Sequence, residues 1–62
     1  MAKNYYDEID KALVRHETGM NYKTHGMDWI CDRIDWCYKW KKITEKQMEE
    51  LAARATEVLE RR

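Results

Sequence analysis

The sequence predicts an all-α fold: a compact antiparallel three-helix bundle with helices at about 4–18, 27–42 and 45–60, the last two forming a tight hairpin. Three observations predict it. Apolar residues recur at helical spacing in three stretches, and no stretch alternates apolar with polar residues over several positions, as a half-buried strand would. The chain has no proline, and its two glycines, Gly19 and Gly26, sit close together and mark a single long loop. The run ITEKQM carries a helix-start signature. Sixty-two residues make one domain, 1–62, at most. A chain this short buries only about 60% of its unfolded surface, so the core must be economical.

The first helix opens on Asn4, a good N-cap, with Asp7 three residues on. Tyr5, Tyr6, Ile9, Ala12, Leu13 and His16 share one face. Asp7, Glu8 and Asp10 come early and Lys11, Arg15 and His16 late, an order that complements the helix dipole. Gly19 offers a left-handed stop. The stretch GMNYKTHG, Gly19 to Gly26, then reads as a loop, with Met20 and Tyr22 expected to fold back onto the core.

The second helix, Met27 to Lys42, holds all three tryptophans and both cysteines. Thr24 or the residues just after it supply its cap. At about 100° per residue it carries two apolar stripes. Met27, Ile30, Cys31, Ile34, Cys37 and Tyr38 span roughly 120° of arc. Trp29, Trp36 and Trp40 fall within about 40° of one another on an adjacent stripe, with Arg33 at its edge. Asp28, Asp32, Asp35 and Lys39 form the charged remainder. So wide an apolar surface needs cover on two sides.

The third helix has the clearest start. Thr44 as N-cap with Gln47 at N3 makes a capping box, and Ile43 and Met48 hold the two positions of a hydrophobic staple. The helix should begin at Glu45, and its predecessor should end near Lys42. Met48, Leu51, Ala52, Ala55, Val58 and Leu59 form its apolar stripe.

Twelve acidic and twelve basic residues give a formal net charge of zero. That disfavours general nucleic-acid affinity, which needs clustered cations, and a membrane-surface role. No apolar run reaches a membrane span, and MAKNYYDEID has no signal-peptide core, so a cytoplasmic location is expected. Cys31 and Cys37, about 9 Å apart along one helix, cannot bridge and read as reduced, apolar core residues. They diverge by about 120°, and with His16 and His25 they show no paired zinc spacing, so no metal site is expected. His16 is assigned to the core edge and His25 to solvent. Asp28, Asp32 and Asp35 read as a solvated row, with Lys39 pairing to Asp35. The chain shows no phosphate loop, nucleophile elbow or nucleophile–base pair. It is therefore expected to be non-enzymatic and to need no cofactor.

The candidate site is Trp29, Arg33, Trp36 and Trp40, with Tyr22 or Tyr5 at the rim, because Trp, Tyr and Arg are enriched at binding hot spots. A core poor in aliphatics also needs large side chains, so at least two tryptophans are expected to serve it. The function these residues imply is a small protein-interaction or regulatory module with a protein partner not specified by the sequence. A homodimer is the expectation if the first helix covers only part of the stripe. One alternative is a nucleic-acid-associated regulator using Lys39, Lys41 and Lys42. Another is an inhibitor of a host protein encoded by a mobile element. In its stretch DRIDWCYKWKKIT and the capping-box helix that follows, the chain resembles the small helical proteins carried by bacterial phages and conjugative elements. The resemblance is one of build, and no site residue carries over from it.

Overall fold

A computed structural model describes residues 4–61, with Asn21 described by its backbone alone. The elements are α1 (Tyr5–Glu17), a 3-10 turn (Asn21–Lys23), α2 (Met27–Lys39) and α3 (Glu45–Glu60). The three-helix bundle read from the sequence is the fold observed.

Local chemistry explains most of the boundaries. The Asn4 side chain accepts the Asp7 amide at 3.0 Å and starts α1. At its other end Gly19 adopts φ +82°, the Met20 amide donates to the Arg15 carbonyl at 2.7 Å, and the Gly19 amide donates to His16. That is a Schellman stop, and it satisfies carbonyls the helix would leave open. The capping box of α3 is complete. The Gln47 amide donates to the Thr44 hydroxyl at 3.1 Å, and the Thr44 amide donates to the Gln47 side chain at 3.0 Å. The start of α2 differs from expectation: Gly26, not Thr24, is the N-cap, and no side chain bonds there.

The end of α2 also differs. The helix stops at Lys39, three residues before the expected Lys42. The Lys42 amide donates to the Cys37 carbonyl at 2.7 Å and the Lys41 amide to Tyr38 at 3.1 Å, with Lys41 at φ +57°. This is the same stop that ends α1, built on a lysine where α1 has a glycine. A left-handed conformation costs an L-residue roughly 1–2 kcal/mol, a cost glycine escapes. Lys41→Gly is therefore expected to stabilise the fold by about 1 kcal/mol, raising the melting temperature by about 4–8 °C. A melt that is unchanged or lowered would refute that account of the turn.

Side-chain pairs give the topology. Tyr5 meets Trp36, Glu8 meets Arg33 and His16 meets His25, so α1 and the α2 segment run in opposite directions. Tyr6 meets Glu50 and Asp10 meets Arg54, so α1 and α3 run the same way. The most extensive packing is between α2 and α3. The core is aliphatic: Ile9, Leu13, Ile30 and Leu51 are fully buried, with Cys37 beside them. Ile34, Ile43, Met27, Ala12, Ala55 and Val58 complete it. Staple residues Ile43 and Met48 both pack there.

Several side chains expected in the core lie outside it. Cys31, one residue past Ile30 and so about 100° around the helix, is exposed, and neither it nor Cys37 is in a disulfide. Tyr38 and Leu59 are exposed at 41% and 45%. Both sit at the far edge of the contact between α2 and α3, where no third helix reaches. Met20 and Tyr22 do not fold back. The left-handed turn at Gly19 leads the chain past a core already filled, and the Tyr22 ring instead meets Lys23 Nζ at 5.5 Å.

The parallel seam between α1 and α3 is polar. The Tyr6 hydroxyl donates to Glu50 at 2.8 Å. Arg54 grips Glu17 with two nitrogens, Nε at 3.2 Å and Nη2 at 2.7 Å, and its Nη1 donates to Asp10. All three side chains of the Arg54 cluster are mostly buried. The Arg54 hydrogen bond holds the Glu17 carboxyl below its ordinary pKa, against the opposing effect of burial. The carboxylates in turn raise the Arg54 pKa. Among the described residues no helix is long and apolar enough to cross a membrane.

Candidate functional site

The antiparallel crossing of α1 over α2 assembles the site. Trp29, in the first turn of α2, packs partly against the core. The His25 ring stacks on its indole with centroids 3.9 Å apart and planes 16° from parallel. His25 is held there through its backbone, whose carbonyl accepts from His16 Nε2 at 2.6 Å. A carbonyl can only accept, so the proton sits on Nε2.

One turn further, the Arg33 guanidinium is shared by three rings. Its central carbon lies 4.8 Å from the Trp36 centroid, 5.5 Å from Tyr5 and 5.9 Å from Trp29. Nε approaches Glu8 to 3.5 Å, close enough for ion pairing but not aligned as a hydrogen bond. The cation–π contacts therefore share in fixing this side chain, at about 0.5–1 kcal/mol each where partly exposed. Tyr5 and Trp36 pack with centroids 5.9 Å apart, tilted by 42°. Lys42 Nζ stands 5.7 Å over the Tyr5 ring. A depression of about 240 Å³ opens between Trp29, Asp32, Arg33 and Trp36.

The structure thus gathers Trp29, Arg33 and Trp36 into one cluster, with Tyr5, not Tyr22, at its rim. Trp40 continues the stripe but stands clear of the other rings, and its partner is Lys39 Nζ at 5.9 Å. Lys39 was expected to pair with Asp35; it lies over Trp40 instead, and no ion pair between the two forms among the described residues. Of the three indoles only Trp29 packs against the core. Trp36 is 39% exposed and Trp40 58%, so the expectation that two would serve the core fails. Ile9, Leu13, Ile30 and Leu51 fill that space, and Tyr5 and Arg33 cover only part of the stripe.

Sequence reasoning missed the His25 stack, because His25 lies before the Gly26 cap, outside the helix, where the i,i+4 rule does not reach. It also missed Tyr5 and Lys42 as cation–π partners across the crossing, for which no local signal exists. The finished surface offers flat rings with cations between and beside them, suited to apolar and π contact. Among the described residues no group of three His, Cys, Asp or Glu side chains could hold a metal ion. No family model, curated protein or solved structure matches this chain.

Proposed function

We propose that the chain is a small, non-catalytic protein-interaction module that binds a protein partner through the aromatic face of α2: Trp29, Arg33, Trp36 and Trp40, with Tyr5 at the rim. The observation that supports this best is the exposure of Trp36 and Trp40, side by side on the central helix of the bundle. A marginal fold that leaves much of two of its largest apolar side chains open to water forgoes part of the burial they offer. As binding anchors they bring large contact area at low entropic cost.

Trp40 allows a clean test, because at 58% it is the most exposed of the three indoles and stands outside the core cluster. Trp40→Ala should change the unfolding free energy by no more than about 0.5 kcal/mol. It should also abolish retention of the partner that the wild-type chain captures and that a purified binding assay then confirms. A variant that still binds that partner with wild-type affinity removes the proposal. Self-association through the same face is read separately, as a sedimenting mass above 7.6 kDa that Trp40→Ala returns to the monomer.

A further inference from the structure

The far side of α2 carries a second surface, unlike the aromatic one. An open groove of about 400 Å³ runs between α2 and α3. Its floor is apolar, formed by Ile34, Met48, Ala52 and Ala55, and Cys31, Tyr38 and Leu59 stand at its edges. These edge residues are the ones that the helical pattern assigned to the core and the fold left exposed. From Cys31 to Tyr38 the groove follows seven residues of α2, about 10.5 Å. An amphipathic helix spaces its i and i+7 anchors by that same distance.

The rim is acidic. Asp35 lines the groove, and Asp28 and Asp32 continue its edge along α2. Helical register places Glu45, Glu49 and Glu60 along the facing edge of α3. All six are exposed, and none meets a cation within ion-pair distance among the described residues. Lys39, on the same side of α2, is turned over Trp40. Elsewhere the pattern is reversed: Asp7, Glu8, Asp10 and Glu17 of α1 each meet a lysine or arginine. A chain of zero net charge therefore concentrates uncompensated negative charge around one apolar groove.

From this we propose that the groove binds a basic amphipathic helix of a partner protein, its apolar face on Ile34, Met48 and Leu59 and its flanking lysines or arginines against the two acidic edges. Charge complementarity selects this occupant. The edges repel nucleic acid, anionic lipid and acidic helices alike.

The test uses the full chain and a dye-labelled peptide of about four helical turns, with leucines at i, i+3 and i+7 and lysines on both flanks. A second peptide replaces the lysines by glutamates. The basic peptide is expected to bind saturably, more weakly as salt rises, and to slow alkylation of Cys31, the exposed one of the two thiols. The double variant Asp35→Lys, Glu49→Lys alters only exposed, unpaired side chains. It should melt as the wild type does and bind about tenfold more weakly, whereas Trp40→Ala should bind normally. Any of four results would overturn the proposal: equal binding of the glutamate peptide, wild-type affinity in the double variant, unprotected Cys31 at saturation, or protection of Cys31 by a second copy of the chain alone. Because Trp40 lies on the other face, failure here leaves the aromatic proposal standing, and the reverse also holds.

Discussion

Ile30→Ala is expected to leave the chain largely unfolded at 37 °C. Ile30 is fully buried in the central helix, among core residues of both α1 and α3. Truncating such a side chain removes about three methyl-sized groups and leaves a cavity, at a cost of about 3–4 kcal/mol. A single-core domain of this size has only about 3–5 kcal/mol to lose. Ile30→Val, which removes one methylene, should cost about 1 kcal/mol and retain a cooperative transition. Far-ultraviolet circular dichroism against temperature separates these outcomes. A native-like melt for Ile30→Ala would mean that the indoles, and not the aliphatics, carry the core.

The second large effect is expected at Arg54. Arg54→Met keeps most of the stem and removes the charge, leaving the Glu17 and Asp10 carboxylates facing each other across a partly buried seam. Hydrogen bonds to charged groups are each worth roughly 1.5–3 kcal/mol, and these are partly reached by water, so a total loss of about 2–3 kcal/mol is expected. That corresponds to a fall in melting temperature of about 10–20 °C for a domain this small. The pH dependence identifies the cause. Glu17 has a depressed pKa in the folded state, so its contribution is complete above the ordinary value of 4.5 and is lost as pH falls through the lower folded value. The gap between wild type and Arg54→Met should therefore be widest near neutrality and shrink on acidification below pH 4.5. A gap that stays constant through that range would assign the loss to packing.

Features decided within one helical turn could be read from residues alone. The Thr44–Gln47 box, the Asn4 cap and the Gly19 stop each depend on side chains three or four positions apart, and each is where the pattern placed it. Lys41 shows the limit of that reasoning. Nothing in a lysine announces a left-handed backbone, so the helical pattern carries α2 past its actual end at Lys39. The tryptophan stripe marks a second limit. Helical register shows that Trp29, Trp36 and Trp40 share a face, but how much of the face α1 covers depends on the crossing. Arg54 is the extreme case: its partners lie 37 and 44 residues away, and only the parallel seam brings them together. Cys31 and Cys37 looked alike as small apolar residues, and a rotation of about 120° puts one in the core and the other at the groove.

The parallel run of α1 beside α3 also orders assembly. Two helices joined by a five-residue turn meet with little loop to close, while the ties from α1 to α3 each span most of the chain. The hairpin of α2 and α3 is therefore expected to form first, with α1 docking onto it last. The same helix should be the first to detach under mild denaturant, which native-state hydrogen exchange would show as α1 amides exchanging ahead of those in α2 and α3. Quality control in a cell would then meet this protein first as a half-open clasp rather than as a random coil.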